Sequence, residues 1–235
     1  MSLLSMLQGV TPRLGIPKPL LIVGATDDQT LQLLAVANEE GQDLAKRGQW
    51  QALTNSSTFT TVAAETQGAI DTLAGTGFDY ILNETAWNRT QRRPLFGPLT
   101  SVQWEQLKAS QIQGPWYQYT IRGGNILFLP VPTAGQTCAF QWMSKNWVTT
   151  STSTSSTWMA DTDTSLLSED LMGLGIIWRW LQRKGLEYAE DFNKYERQVA
   201  DALARDGGKQ RLSMGNSGPD VYPGVIVPSG NWMVS

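Results

Sequence analysis

Residues 167–208, LSEDLMGLGIIWRWLQRKGLEYAEDFNKYERQVADALARDGG, decide the fold class, because apolar residues recur through them at helical spacing. The first half predicts a helix that ends near Gly185, and the second half predicts a helix that ends at Gly207–Gly208. Gly173 and Gly175 lie inside the first helix, where each costs about 1 kcal/mol relative to alanine. We expect the close approach of another helix to offset that cost. The apolar stripe of the first helix consists of Leu167, Leu171, Leu174, Trp178 and Leu181.

A third helix is predicted near the N-terminus. It begins at a capping box formed by Thr26 and Gln29, in which each side chain satisfies a backbone amide of the other residue. Apolar and small residues then recur at helical spacing, and Gly48 is the predicted stop.

The sequence between these helical regions predicts strands. Residues 58–62 are rich in β-branched side chains, and Gly123-Gly124 predicts a hairpin turn between two apolar runs. A second capping box, from Thr100 to Gln103, predicts a short helix near residues 101–109. Nine consecutive Ser and Thr residues, 149–157, predict a mobile hairpin tip, because they bury little apolar surface.

Together these patterns predict an α+β protein with a mainly α-helical bundle core, a β-rich insertion and an extended C-terminal arm. The bundle would consist of the N-terminal helix and the two C-terminal helices. The predicted parts are residues 1–49 and 161–208 for the helical core, 50–160 for the β-rich insertion and 209–235 for the arm.

The arm follows a finished helix and carries more apolar side chains than disordered tails usually do. We therefore expect it to lie on another surface, either of its own domain or of a neighbouring subunit, and we favour the neighbour. Its candidate contact residues are Val221, Tyr222, Val225, Ile226, Val227 and Trp232.

Composition excludes several functional classes. The chain has 235 residues, with 18 Lys and Arg against 21 Asp and Glu, so it is not a strongly basic nucleic-acid binder. It has no histidine and a single cysteine, Cys138, which excludes His-dependent catalysis, multi-Cys zinc sites and an internal disulfide. The longest apolar run, residues 20–23, is too short to cross a membrane. We expect a protein without cofactor or enzymatic activity.

Three local patterns remain as candidate sites. Asp161-Thr-Asp163 resembles the start of a calcium loop, but Leu166 and Met172 replace the expected Gly and Glu, so we interpret it as part of a helix N-terminus. The ten tryptophans allow three interpretations, core packing, a carbohydrate platform and a protein interface, and the best interface candidates are Trp147, Trp158 and Trp232.

The third pattern is a basic cluster formed by Arg89, Arg92 and Arg93, beside Trp87. Such a cluster can contact phosphate groups. It is more often a solvated loop or a source of ion pairs between subunits. The sequence leaves these readings open.

Several strings, taken in order, resemble the head-to-tail adaptor (connector) proteins of short-tailed bacteriophages. The resemblance covers about residues 1–212, and the order of the strings carries it, since no single string has chemical specificity. The strings are LLAVANEEG (33–41), WQALT (50–54), NETAWNR (83–89), RRPLFGP (92–98), SKNW (144–147), DTDTSLL (161–167), GLEYAEDF (185–192) and ARDGG (204–208).

The resemblance implies a structural neck protein, made in the bacterial cytoplasm and located at the head-tail junction of the virion. Twelve copies would form a ring beneath the portal protein, extend the channel for double-stranded DNA and present a platform to tail or nozzle proteins. DNA would pass without sequence-specific binding, and mild acidity suits such a channel. Two alternatives remain: a carbohydrate-active or cell-wall-cleaving virion protein, and a non-specific DNA-binding module built on the arginine cluster.

Overall fold

A computed structural model describes residues 1–110, 114 and 116–207. The helices in this part of the chain are α1 (Leu3–Val10), α2 (Asp28–Lys46), α3 (Ile70–Ala74), α4 (Ser101–Ala109), α5 (Glu169–Arg183) and α6 (Ala189–Arg205). The strands are β1 (Thr54–Thr60), β2 (Thr66–Ala69), β3 (Phe78–Ile81), β4 (Trp87–Asn88), β5 (Arg93–Pro94), β6 (Gln118–Arg122), β7 (Asn125–Leu129), β8 (Thr137–Ser144), β9 (Val148–Thr149), β10 (Thr154–Ser155) and β11 (Thr164–Ser165). No helix of these residues is both long and apolar enough to cross a membrane.

The strands form three antiparallel sheets. β8 is the centre of the largest, with β1 along one edge and both β3 and β4 on the other, and β5 pairs with β4. β2, β7 and β6 form the second sheet, and β10, β9 and β11 form the third. In the β1–β8 pair Thr54 lies opposite Met143, and Thr60 lies opposite Thr137, so β1 pairs with β8 along its whole length.

Two hydrophobic cores result. The helix-side core contains apolar residues of α1, α2, α5 and α6. It also contains Met143 of β8, Val148 of β9, and the loop residues Trp147 and Trp158. The sheet-side core is built only from residues between 59 and 142, including the edge-on aromatic contacts of Phe59 with Phe128 and Phe140, each at 6.0 Å.

The predicted bundle core with a β-rich insertion is therefore wrong, although α+β describes the mixture in part. Helices do not form a core of their own, because Trp147 lies in the helix-side core against Gly41 of α2 and meets Trp158 edge-on at 5.2 Å. The structure also corrects the assignment of Trp147 and Trp158 to an interface, since both are buried. Sequence periodicity could not show that strands and loops join the helix-side core, because β9, β10 and β11 have only two residues each.

Several local predictions are confirmed. The capping box of α4 is present, and Gly123 and Gly124 take the positive φ values, 56° and 74°, that the β6–β7 turn requires. α5 and α6 lie where the apolar stripes placed them. The N-cap of α2 differs, since Asp27 rather than Thr26 accepts the hydrogen bond, from the Thr30 amide. α1 and α3 were not predicted.

The two glycines of α5 have different environments. A Cβ atom at Gly175 would overlap the Glu40 carboxylate of α2, whereas a Cβ atom at Gly173 would meet only a Val10 methyl group at 3.5 Å. The expected close helix approach is confirmed at Gly175, and there it brings a charged side chain to the helix surface.

Candidate functional site

The predicted arginine cluster lies on the β4–β5 hairpin, whose turn is fixed by the buried side chain of Asn88. The Asn88 Oδ1 atom accepts a hydrogen bond from the Gln91 backbone amide at 2.9 Å. Its Nδ2 atom donates to Gln136 Oε1 at 2.6 Å. Asn88 pairs with Arg93 across the hairpin, so the buried amide holds the turn that carries the cluster.

The structure brings all three predicted arginines together on this hairpin. Arg89, Arg92 and Arg93 are exposed, and none forms an ion pair with another residue that the structure describes. Arg92 takes a φ of 57°, a left-handed conformation that non-glycine residues adopt uncommonly. The turn therefore presents unpaired positive charge to its surroundings.

Two exposed aromatic side chains adjoin the arginines. The Arg93 guanidinium lies 5.2 Å from the centre of the Trp116 ring, and Trp116 meets Phe96 edge-on at 5.9 Å. Phe96 is 50% exposed and Trp116 is 39% exposed. We call this group, Arg89, Arg92, Arg93, Phe96 and Trp116, the arginine–aromatic patch.

The residue types of the patch are those that protein interfaces favour. Trp and Arg are enriched at the energetic centres of interfaces, where their apolar surface is desolvated. The cation–π contact between Arg93 and Trp116 gains strength when a partner excludes water from it. Unpaired arginines favour a partner that bears carboxylate or phosphate groups.

A fourth arginine, Arg179, belongs to an ionic cluster between α2, α5 and α6. The Arg179 Nε atom donates to Glu40 Oε2 at 2.6 Å, and its two Nη atoms donate to Asp43 at 2.5 Å and to Glu39 at 3.2 Å. The Tyr195 hydroxyl donates to Glu40 Oε1 at 2.5 Å. We call Glu39, Glu40, Asp43, Arg179 and Tyr195 the buried ionic cluster.

Burial dominates the electrostatics of this cluster. Desolvation raises the pKa of the fully buried Glu40 carboxyl, and the hydrogen bonds from Tyr195 and Arg179 oppose that rise. The pKa of Tyr195 is also raised, because the hydroxyl is buried and bonds the Glu40 carboxylate. Both oxygens of Glu40 are occupied by neighbours, so this carboxylate offers nothing to a polysaccharide substrate.

Glu39 and Glu40 are adjacent in α2, and both bond the guanidinium of Arg179. Glu40 is buried, and Glu39 is partly exposed and also pairs with Arg183. Sequence reasoning did not select Arg179, the partner of these acids. The position of Arg179 among apolar residues of α5 could have indicated a buried acidic partner, since arginine is almost never fully buried without an acid.

The acids of the predicted calcium-like string bind backbone amides. The Asp161 carboxylate accepts from the amides of Ile22 and Val23, and the Asp163 carboxylate accepts from those of Met159 and Ala160. They therefore join loops instead of capping a helix, since α5 begins only at Glu169. Across residues 1–110, 114 and 116–207, no group of acids and cysteine is arranged to hold a metal ion.

Cys138 is a free, buried thiol. It lies in β8 within the sheet-side core, and burial raises its pKa to about 12. Phe96 and Trp116, which sequence reasoning did not select, are the aromatic part of the candidate site. The arm contacts Val221, Tyr222, Val225, Ile226, Val227 and Trp232 lie outside the described residues, and they stay a prediction.

Comparison with known proteins completes the description of the site. The family model described as SU10 adaptor protein matches residues 1–223. No curated protein matches the chain. The family match confirms the resemblance to phage head-to-tail adaptors and supports a structural role. Because the match covers nearly the whole chain, the chain belongs to the SU10 adaptor protein family.

Proposed function

We propose that the protein is a neck component that docks on the portal protein at the head-tail junction of the virion. Copies of it form a ring that extends the DNA channel and gives tail components an attachment platform. The observation that carries this proposal is the adaptor family match over residues 1–223. The stoichiometry of twelve comes from the resemblance of the sequence to connector proteins.

The charge arrangement supports an assembly role. On the helix side, the carboxylates of Glu39, Glu40 and Asp43 all bond Arg179 of the same subunit. The arginines of the arginine–aromatic patch, in contrast, are exposed and form no ion pair with a described residue. A patch with two exposed aromatic rings gains free energy when a partner covers it. In the proposed assembly, residues 50–160 present this patch to a neighbouring protein.

The channel function depends on the net charge of the subunit. Each copy carries a formal net charge of −3, so a closed ring of copies is acidic as a whole. Carboxylates that face the channel repel the DNA phosphates and keep the DNA from adhering to the wall. This arrangement suits a passage for DNA better than a binding site for it.

The arm, residues 209–235, is proposed as a contact with the portal or with a neighbouring subunit. Its apolar side chains, from Val221 to Trp232, would bury surface that the free subunit exposes to solvent. Ordering a segment on binding costs conformational entropy but covers a large area. A chain truncated after Gly208 should fold and lose portal binding, and unchanged affinity in a pull-down would remove the arm from the proposal.

Negative-stain microscopy of the full chain mixed with its portal protein tests the proposal as a whole. The expected result is a ring with one symmetry axis, docked on one face of the portal. Particles of free portal beside unassembled subunits, at concentrations well above those of a typical interface affinity, would contradict it.

The unpaired arginines favour one second candidate, non-specific DNA binding through the patch. Counterion release makes such binding strongest at low salt. The test is a filter or anisotropy assay with double-stranded DNA at 50 mM salt, using the full chain and the Arg92→Gln, Arg93→Gln double variant. Binding that is equal in both proteins, or absent from both, removes this candidate.

A further inference from the structure

β1 is an edge strand of the largest sheet. It pairs with β8, and no other described strand lies beside it. Its seven residues, TNSSTFT, include no charged residue and no proline, and four of them are exposed. Edge strands of native proteins usually carry charges, prolines or bulges that prevent another strand from pairing with them. β1 has none of these features, since its register with β8 is also unbroken.

β3, which pairs with the opposite side of β8, does carry such features. It has only four residues, and one of them is the charged Asp79. Its register with β8 shifts between Phe78 and Tyr80. The contrast indicates that β1, unlike β3, is suited to accept a further strand.

The register shows which backbone groups of β1 face away from β8. The amide of Thr61, directly after the strand, donates to the Gln136 carbonyl at 2.8 Å. Hydrogen bonding to the partner strand alternates along an antiparallel pair, so Ser57 also bonds β8. Ser56 and Thr58 therefore direct their amides and carbonyls to the free side, where an extended segment can bond them.

The described part of the chain ends beside the start of β1. The Asp206 carboxylate accepts a hydrogen bond from the Gln51 amide at 2.8 Å. Gly207 lines the same groove as Thr54, the first residue of β1. Its φ of 84° is the left-handed conformation that ends helices, and it turns the chain away from the axis of α6. The residues that follow Gly207 therefore start next to the first residue of β1.

The sequence of those residues has the pattern of a strand. In KQRLSM (209–214), charged or hydroxyl side chains at 209, 211 and 213 alternate with longer uncharged side chains at 210, 212 and 214. A period of two is typical of an extended strand with one face against protein. Six extended residues span about 20 Å, close to the length of the seven-residue β1.

Two other occupants of this edge fit less well. β1 of a second copy would form an isologous contact, which closes at two copies and cannot continue around a ring. The arm of another copy would have to bind from solution. A tethered segment of the same chain has an effective concentration on the order of millimolar, which favours it over a free partner.

We infer that residues 209–214 pair with the free side of β1 in the same subunit, as an added strand parallel to it. Backbone hydrogen bonds to Ser56 and Thr58 supply the affinity, as in other cases where a segment extends a sheet. The inference builds on the arm in the proposed function, because it gives the apolar residues from Val221 to Trp232 a fixed starting point. Its test needs neither the portal nor the ring.

Amide hydrogen exchange in the full chain, without portal, tests the pairing. The Arg211→Pro, Leu212→Pro double variant removes two donors and breaks a strand in either register. We expect the amides of Ser56 and Thr58 to exchange about tenfold faster in this variant than in the unchanged chain. The amide of Ser57, bonded to β8, should keep its rate.

A matched control has the same two prolines further along the arm. In the Val225→Pro, Ile226→Pro double variant, residues 209–214 are unchanged. The amides of Ser56 and Thr58 should therefore exchange at the rates of the unchanged chain.

A cross-link reports which copy supplies the strand. The Ser56→Cys, Leu212→Cys double variant of the full chain is treated at high dilution with a short bis-maleimide. Cys138 does not compete, because it is buried and its pKa is raised to about 12. The expected product is a monomer with an internal cross-link, which each single-cysteine variant lacks.

The outcomes separate this inference from the proposed function. Equal exchange of Ser56 and Thr58 in the unchanged chain and in the Arg211→Pro, Leu212→Pro variant would overturn the pairing. So would a covalent dimer, or no internal cross-link, in the dilute double-cysteine protein. Either result leaves docking on the portal standing. A chain that shows the pairing but forms no ring on the portal would instead contradict the proposed function alone.

Discussion

Two groups of arginine side chains in this protein differ in what surrounds them. Arg179 is buried and bonds three carboxylates, those of Glu39, Glu40 and Asp43. The arginines of the arginine–aromatic patch are exposed and have no acid among the described residues. The first group holds helices together inside the subunit. The second leaves its charges available to another molecule.

The difference shows how one residue type serves architecture in one place and assembly in another. A buried ion pair specifies which helices meet, because an unpaired buried charge is costly. An exposed arginine beside aromatic rings contributes little until a partner removes the water around it. Substitution should therefore affect folding at Arg179 and its acids, and binding at the patch.

The largest expected effect is at Glu40. Glu40→Ala leaves the Arg179 guanidinium and the Tyr195 hydroxyl buried with a lost partner, and the free energy of unfolding should fall by about 3–5 kcal/mol. Urea unfolding measures it. Glu105→Ala, which breaks the exposed pair with Arg122, is the control and should cost less than about 1 kcal/mol. Equal losses of unfolding free energy in the two variants would contradict the claim that the buried pair stabilises the fold more than the exposed pair does.

The two glycines of α5 give the next largest contrast. Gly175→Ala places a methyl group on the Glu40 carboxylate and should destabilise the fold by about 1–3 kcal/mol. Gly173→Ala meets ordinary contact distance and should stabilise the helix by up to about 1 kcal/mol. Thermal or urea unfolding of the pair checks the sign. A stabilising Gly175→Ala would show that the buried ionic cluster tolerates displacement.

At the patch we expect an effect on binding without an effect on folding. The Arg92→Gln, Arg93→Gln double variant should unfold within about 0.5 kcal/mol of the unchanged chain, as surface substitutions usually do. Its binding to the assembled neck components should weaken, because the cation–π contact and the unpaired charge are lost. A pull-down with portal and tail proteins measures this. Unchanged binding would show that neither the portal protein nor the tail proteins bind the patch.

A change in salt concentration should produce the smallest difference between the arginine–aromatic patch and the buried ionic cluster. At 1 M salt the Debye length falls to about 3 Å, which screens exposed charges strongly and buried pairs much less. Binding that depends on the patch should weaken between 0.1 and about 1 M salt, while the difference in unfolding free energy between Glu40→Ala and the unchanged chain should persist. A salt-sensitive Glu40 difference would show that the contact between Glu40 and Arg179 is itself open to solvent.

The sequence predicted what depends on local pattern. The helix periodicity of residues 167–208, the α4 capping box and the Gly123-Gly124 turn are all confirmed, because each is set by neighbours along the chain. The arginine cluster was also found from the sequence, and its three members do lie together on one hairpin.

What depends on distant partners was missed. Trp147 packs on Gly41 more than a hundred residues away, so no local pattern distinguishes a core tryptophan from an exposed one. Phe96 and Trp116 meet only because their segments pair, at a bridge between Phe96 and Gln118. The error about the bundle core has the same origin, since two-residue strands carry no periodicity.

A cryo-electron microscopy map of the full chain bound to its portal protein shows both groups of arginines in the assembled state. We expect a closed ring in which Arg179 remains enclosed by its own subunit and the arginine–aromatic patch lies against another protein chain. A map in which the subunits stay separate, with the patch open to solvent in every copy, would contradict it.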